Sequence, residues 1–182
     1  MSNPRVRLET SEGEIVIELW PDVAPGTVTH FNQLVHEGFY DGLHFHRIIP
    51  GFIIQGGCPN GDGTGTCGWT IDAEFSDRPH DKGTVSMARL ANPNSASSQF
   101  FIALDRTNCQ HLDGEYTIFG KVVEGLDTVD RLASVPITNC DSGQPADPPI
   151  IHHATELYDH DAPPTPDPVQ QQAEPSGDNQ TV

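Results

Sequence analysis

The chain has 182 residues, a length that fits one domain, and carries 26 acidic and 9 basic side chains for a formal net charge of −17. This charge argues against nucleic acid or an anionic membrane as a partner, and no run of about 18 apolar residues predicts a membrane-spanning helix. The N-terminal residues have no apolar core typical of a secretory signal, so we expect a cytoplasmic protein.

The first part of the chain predicts a β-hairpin followed by a helix. Residues 5–10 (RVRLET) and 14–20 (EIVIELW) alternate apolar and polar side chains and are separated by a turn around residues 11–13. Four apolar residues then recur at helical spacing: Val28, Phe31, Leu34 and Val35. Pro25 suits the first turn of this helix, and Gly38 ends it.

Short strand signals dominate the next hundred residues. Six further segments are rich in β-branched and aromatic residues: 43–49, 51–57, 83–88, 98–104, 116–123 and 150–157. A second short helix fits residues 126–134, which place four apolar side chains on one face. Since the two helices do not alternate with strands, we predict a mainly β fold, an antiparallel sheet closed into a barrel with the helices covering its ends.

The composition changes after Tyr158. Residues 159–182 contain five prolines and five acidic residues but no lysine, arginine or aromatic residue. Such a segment cannot bury enough apolar surface to offset the entropy lost on ordering. We therefore predict a folded domain over residues 1–158 and a disordered, acidic, proline-rich tail over residues 159–182.

The acidity itself has two explanations. The carboxylates could form a binding surface for a basic partner, or they could adapt the protein to a high-salt, halophilic cytoplasm. The acidic residues are scattered along the chain, and Lys82 and Lys121 are the only lysines. We favour adaptation to salt.

The four cysteines, at positions 58, 67, 109 and 140, contain no C-x-x-C pair. For a cytoplasmic protein we expect them to be reduced thiols. A bridge between Cys58 and Cys67, which flank a glycine-rich stretch, is the open alternative.

Polar side chains embedded in the apolar segments mark the candidate site. Arg47, Gln55 and Gln99 lie in such segments, and apolar residues accompany them: Phe52, Ile53, Phe101 and Leu112. An apolar pocket with a few polar groups at its edge is the usual composition of a small-molecule or peptide site. These segments contain no G-x-S-x-G motif and no phosphate-binding loop. The set suits a reaction in which no bond to the substrate is made or broken.

Five segments in order carry a resemblance to a known family: FHRIIPGFIIQGG, GTGTCGWTIDAEF, GTVSMAR, SASSQFFIAL and HLDGEYTIFGKVVEGLDTVDRL. They resemble the cyclophilin family of peptidyl-prolyl cis-trans isomerases, and most of all its compact prokaryotic branch. The resemblance extends from about residue 5 to residue 158. It implies a closed eight-stranded antiparallel β-barrel capped by two α-helices.

The resemblance also implies residue roles. Arg47 would be the main catalytic residue and Gln55 a second one. On physical grounds, Gln55 can hold the substrate carbonyl while the other side of the bond rotates. Phe52, Ile53, Phe101 and Leu112 would enclose the substrate proline. The remaining substrate-binding positions would be Gly63, Thr64, Ala88, Gln99, His111 and Tyr116. Members of the family need no cofactor or metal, and their partners are proline-containing peptides and unfolded or folding proteins.

The sequence departs from familiar members at a position that bears on drug binding. His111 stands where many eukaryotic members have a tryptophan that contacts cyclosporin. We therefore expect cyclosporin to bind weakly.

Two other function classes compete with the isomerase interpretation. The same fold could bind proline-containing segments as a chaperone or scaffold with little turnover. The histidines at 44, 46, 152 and 153 could instead indicate a metal site, although their spacing does not require one.

Overall fold

The computed structural model describes residues 3–158 and contains ten strands and three α-helices within that range. The helices are α1 (Pro25–His36), α2 (Arg106–Cys109) and α3 (Leu126–Ala133). The strands are β1 (Arg5–Thr10), β2 (Gly13–Leu19), β3 (Arg47–Ile49), β4 (Ile53–Gly56), β5 (Thr84–Met87), β6 (Phe100–Ala103), β7 (Ile118–Glu124), β8 (Ile137–Asn139), β9 (Gln144–Pro145) and β10 (Ile151–Leu157). The fold is mainly β, as predicted, and the predicted tail lies outside the described residues.

Eight strands form one antiparallel sheet in the order β10-β1-β2-β7-β5-β6-β4-β3. Its curvature brings the two edges together, but they are joined by a single β-bridge, between His44 and Ile150, just before β3 and β10. The prediction of a closed barrel is therefore wrong in this detail. Pro148 and Pro149 precede β10, and proline has no N–H to donate to a ladder, so continuous pairing stops there.

The prediction of two helices is also incomplete. Both predicted helices are present as α1 and α3, but α2 adds a third, with a short 3₁₀ turn over Gln110–Leu112 directly after it. Asp105 caps α2 by accepting a hydrogen bond from the amide of Asn108 at 3.1 Å. Because α2 has only four residues, it contains too few turns for a periodic apolar pattern to predict it.

The two faces of the sheet build two separate apolar clusters. The larger cluster fills the interior, where the Phe31 ring of α1 packs 5.6 Å from Phe100 and 5.0 Å from Phe119. The smaller cluster lies on the outer face and contains Ile53, Phe101, Ala103, Cys109 and Leu112. Successive residues of a strand point to opposite faces, so the neighbours Phe100 and Phe101 belong to different clusters.

No helix among the described residues is both long and apolar enough to cross a membrane.

Candidate active site

A groove with a cavity volume of about 740 Å³ lies on the outer face of the sheet, above the smaller apolar cluster. The strands β3, β4 and β6 supply its base, and loops from several parts of the chain supply its sides. Its lining residues are His46, Arg47, Phe52, Ile53, Gln55, Gly61, Asp62, Gly63, Ala88, Arg89, Phe101, His111, Leu112, Glu115, Tyr116, Ser142 and Gln144. The volume falls in the range typical of ligand sites in proteins.

A hydrogen-bonded series of side chains, here called the amide network, runs along one side of the groove. Arg47 on β3 lies opposite Gln55 on β4, and its Nη1 donates to Gln55 Oε1 at 3.2 Å. Gln55 Nε2 donates to Gln99 Oε1 at 3.0 Å, and Gln99 Nε2 donates to the carbonyls of Gly63 and Gly65 at 2.9 Å each. The network thereby connects Arg47 to the loop over residues 61–65.

The charge of Arg47 is not neutralised by a neighbouring acid. Within residues 3–158, none of the ion pairs involves Arg47, and its one side-chain hydrogen bond goes to the neutral amide of Gln55. The side chain is partly buried at the edge of the groove. Its remaining guanidinium N–H groups are therefore available to a ligand.

The apolar floor of the groove consists of Phe52, Ile53, Phe101 and Leu112. The ring of His111 stacks on Phe52 at 5.5 Å, and the ring of Tyr116 meets Phe101 edge-on at 5.7 Å. Such aromatic pairs attract each other in addition to the effect of burial, and they prefer particular ring orientations. The floor is a preformed surface suited to a compact apolar ring.

A second cation, Arg89, fixes the side of the groove near Tyr116. Its guanidinium carbon lies 4.6 Å from the centre of the Tyr116 ring, and its Nε and Nη2 donate to the carbonyl of Glu115 at 2.9 and 2.7 Å. These contacts join two loops that are distant in sequence. Arg89 therefore holds the groove in shape, and its donors are largely occupied.

The thiol of Cys58 holds the loop over residues 61–65. Its Sγ accepts hydrogen bonds from the amides of Gly63 at 3.3 Å and Gly65 at 3.2 Å. Burial acts to raise the pKa of the Cys58 thiol, but the backbone hydrogen bonds from this loop outweigh it and lower the pKa below its usual value. All four cysteines are free thiols, so Cys58 and Cys67 do not form the bridge left open above.

A polar cluster, buried at His80 and Ser86 and partly exposed at Asp113 and Arg106, lies directly behind the floor. The ring of His80 is fully buried and stacks on Phe101 with 5.9 Å between centres. Its Nδ1 lies 2.9 Å from Asp113 Oδ1 and its Nε2 lies 3.1 Å from Ser86 Oγ. Arg106 Nη2 donates to the other oxygen of Asp113 at 2.7 Å. Asp113 therefore connects Phe101, through His80, with the turn that carries Leu112.

The protonation states in this cluster follow from these contacts. Desolvation works to raise the pKa of Asp113, but hydrogen bonds from Arg106 and His80 outweigh it and lower the pKa to about 2. Burial lowers the pKa of His80, although Asp113 acts in the opposite direction. At neutral pH Asp113 is thus an ionised acceptor for the N–H of His80 Nδ1.

Acidification is expected to remove the stabilisation provided by Asp113. The folded-state pKa of this carboxyl is depressed, so its contribution is fully present above its unfolded value near 4 and is lost as pH falls toward 2. The shift corresponds to about 2 kcal/mol. Chemical denaturation between pH 7 and pH 2 measures this as the difference in free energy of unfolding between the wild type and Asp113→Asn.

The difference in free energy of unfolding between the wild type and Asp113→Asn should shrink by about 2 kcal/mol below about pH 5. Other carboxylates titrate in both proteins and cancel in the comparison. A difference that stays constant down to pH 2 would contradict the stabilising role of Asp113.

Most residues predicted from the sequence converge on the groove. Ten of them line it: Arg47, Phe52, Ile53, Gln55, Gly63, Ala88, Phe101, His111, Leu112 and Tyr116. Thr64 and Gln99 do not line it. Gln99 instead acts through the amide network, and Thr64 donates to Asp62 Oδ1 at 2.6 Å.

Some residues that line the groove were not predicted from the sequence. Ser142 and Gln144 come from the β8–β9 hairpin, whose residues show no alternating pattern, and Asp62 and Glu115 come from loops. The one available signal was the run of turn-forming residues at 139–143. His46, the residue before β3, also lines the groove.

The chemistry available in the groove is hydrogen bonding above an apolar floor, with Arg47 as the cation that keeps unengaged donors and Gln55 as the amide beside it. Among the described residues, no group of three or more His, Cys, Asp or Glu side chains is arranged to hold a metal ion. Cys58 is fully buried and engaged by the loop amides. The arrangement suits binding and polarising a peptide bond.

Comparison with known proteins agrees with this geometry. Residues 5–156 match the family described as cyclophilin type peptidyl-prolyl cis-trans isomerase/CLD. The chain is 49% identical over 123 residues to peptidyl-prolyl cis-trans isomerase B of Bacillus subtilis, covering 66% of this chain and 84% of the relative. It is 49% identical over 138 residues to a peptidyl-prolyl cis-trans isomerase of Synechococcus elongatus, covering 71% and 93%.

Solved structures give the same family. A cyclophilin type peptidyl-prolyl cis-trans isomerase of Cryptosporidium parvum superposes with a TM-score of 0.80 at 35% identity, covering 86% of this chain and 98% of that one. A second structure of that protein, obtained in the presence of the dipeptide Ala-Pro, gives 0.79 at 35% identity, covering 85% and 99%. The chain belongs to the cyclophilin-type peptidyl-prolyl cis-trans isomerases.

Proposed function

We propose that the chain accelerates rotation about Xaa-Pro bonds by donating a hydrogen bond from Arg47 to the prolyl nitrogen. The observation that carries the proposal is the Arg47 guanidinium, which lies at the edge of an apolar floor without a carboxylate partner among the described residues. The Cryptosporidium relative studied with Ala-Pro supports a proline-containing substrate.

The energetic requirement is modest. Rotation about an Xaa-Pro bond crosses a barrier of about 20 kcal/mol, because twisting breaks amide resonance. The uncatalysed event takes about 10–100 s. A turnover of about 10³ s⁻¹ therefore requires an acceleration of about 10⁴- to 10⁵-fold, which corresponds to about 5–7 kcal/mol.

A guanidinium lowers this rotational barrier because it stabilises the transition state selectively. In the twisted transition state the prolyl nitrogen becomes pyramidal and gains a lone pair, which the planar amide lacks. A donor aimed at that nitrogen stabilises the transition state more than either planar isomer, which is the requirement for catalysis. Arginine stays charged and holds its donors in a fixed fork.

The other groove residues have complementary roles in this proposal. The floor binds the proline ring and excludes water, so the charge of Arg47 is screened less than it would be in bulk water. Gln55 orients Arg47 and holds the substrate carbonyl on the side of the bond that does not rotate. Gln99 fixes the amide of Gln55 through the 3.0 Å hydrogen bond between them.

Exchange NMR of a short Ala-Pro-containing peptide tests the proposal. We expect exchange cross-peaks between the cis and trans isomers at a few micromolar protein, where the free peptide shows none. Saturable binding without faster exchange would instead support a scaffold or chaperone with little turnover.

Cyclosporin added to the same assay is expected to inhibit only weakly. His111 offers a smaller apolar surface than an indole and is already stacked on Phe52. Half-maximal inhibition should require concentrations well above the low nanomolar range. Inhibition at low nanomolar drug would contradict this expectation.

We further propose that the protein works in the cytoplasm on unfolded and folding clients and belongs to the compact prokaryotic branch of the family. The net charge of −17 and the two lysines support adaptation to high salt. The similarity to bacterial and cyanobacterial relatives supports the prokaryotic assignment.

A further inference from the structure

The β8–β9 hairpin, residues 137–145, lies beside the strand that carries Arg47. The carbonyl of Gly143 accepts a hydrogen bond from the amide of Ile48 at 2.7 Å. This contact lies on the side of β3 that does not pair with β4. The hairpin therefore covers the free edge of β3, next to the proposed catalytic side chain.

The hairpin is ordered by its own hydrogen bonds. The Asn139 side chain accepts from the amides of Asp141 at 3.0 Å and Ser142 at 3.3 Å. At its base, the amide of Ala146 donates to the carbonyl of Pro136 at 2.8 Å. All of these contacts are made within the hairpin and its base, so none of them requires a substrate.

Gly143 brings the hairpin into close contact with β3. Its φ of +71° is in the region that favours glycine, and an added Cβ would lie 2.9 Å from the carbonyl oxygen of Ile48 and 3.3 Å from Cγ of Arg47. Only a residue without a side chain allows this approach. The residues on either side of Gly143 are consequently placed within reach of the groove.

Those two neighbours are exposed and line the groove. Ser142 and Gln144 are both in its lining, whereas Gly143 and Pro145 are buried against the domain. Within residues 3–158 the amide of the Gln144 side chain makes no hydrogen bond. An exposed carboxamide both donates and accepts, as a peptide bond does.

We propose that Gln144, assisted by Ser142, binds the backbone of a substrate residue flanking the proline, and so extends recognition beyond the Xaa-Pro dipeptide. This inference rests on the proposed function. The floor accommodates a proline ring, but a groove of about 740 Å³ has the size of sites that hold considerably larger ligands. Ser142 and Gln144 belong to the lining but not to its apolar floor, so they are available to a residue beside the proline.

The test compares two ligands and two variants. The ligands are the dipeptide Ala-Pro and a six-residue peptide with Ala-Pro at its centre. The variants are Gln144→Ala and, as a matched control, Gln33→Ala, which removes an amide on α1 remote from the groove lining. Dissociation constants come from NMR titration, and kcat and KM for the six-residue peptide come from exchange rates.

Gln144→Ala should weaken binding of the six-residue peptide about threefold to tenfold, the range expected for one lost hydrogen bond. Binding of Ala-Pro should stay unchanged. KM for the longer peptide should rise with kcat unchanged, because the contact is made equally in the ground and transition states. Gln33→Ala should alter none of these values.

Unchanged binding of the longer peptide by Gln144→Ala, or equal weakening of both ligands, would overturn the inference. Either result leaves catalysis by the wild type intact and does not affect the proposed function. If the wild type bound both ligands but catalysed no exchange, the proposed function would fail while the flanking contact could still be measured from the dissociation constants.

Discussion

Replacing Arg47 with alanine is expected to lower kcat/KM for an Xaa-Pro peptide by about 100- to 1000-fold, the loss typical of removing one transition-state donor. The fold should persist, because the side chain is only partly buried and makes one hydrogen bond, to Gln55. The free energy of unfolding should change by less than about 1 kcal/mol. Exchange NMR and chemical denaturation measure the two effects separately.

Two further variants make this prediction specific. Arg47→Lys keeps the positive charge but loses the planar fork of donors, so it should recover only part of the activity. Arg5→Ala removes a half-buried arginine of β1, which pairs with Glu124 of β7 at 3.9 Å, and should leave kcat/KM unchanged. Full activity in a folded Arg47→Ala variant would contradict the proposed mechanism.

Replacing Phe101 with alanine is expected to reduce both stability and substrate binding. Phe101 is 3% exposed and contacts the rings of His80 and Tyr116. Truncating a buried phenylalanine lowers the free energy of unfolding by about 3–5 kcal/mol. Because Phe101 borders a groove, its loss should lie at the low end of this range. Because the ring also forms the floor, KM should rise at least about tenfold.

The neighbouring residue supplies the control. Phe100 is fully buried in the interior cluster, 5.5 Å from the ring of Tyr40, and points away from the groove. Phe100→Ala should therefore lose at least as much stability as Phe101→Ala, while KM of the folded protein stays unchanged. If either alanine variant fails to fold, the comparison is repeated with Phe101→Leu and Phe100→Leu, which should lose less stability. An equal rise in KM for both positions would contradict the assignment of Phe101 to the floor.

Local sequence pattern was sufficient for much of the fold. The alternation in residues 5–10 and 14–20 corresponds to β1 and β2, and the apolar spacing after Pro25 corresponds to α1. These elements depend on short-range periodicity, which a sequence displays directly. The later strand segments also came from local composition, and the resemblance to a family added the number of strands in the barrel and the roles of the candidate site residues.

Other features depend on contacts between distant segments and could not be predicted. The pairing of His80 with Asp113 joins residues 33 positions apart, and the Gly143 contact with Ile48 joins a hairpin to a strand nearly 100 positions away. The incomplete closure of the sheet follows from two prolines at 148 and 149, whose effect depends on which strand they face. Strand register and loop docking of this kind are set by tertiary packing and not by local propensity.

The amide network has a fixed direction. Gln55 must present oxygen to Arg47 and nitrogen to Gln99, and Gln99 must present nitrogen to two backbone carbonyls. Rotating either carboxamide by half a turn would set donor against donor or acceptor against acceptor, so a single arrangement is favoured. Guanidinium and carboxamide groups do not titrate near neutrality. The hydrogen bonds that orient the arginine should therefore be unaffected by a change in pH that would protonate an aspartate or histidine in the same position.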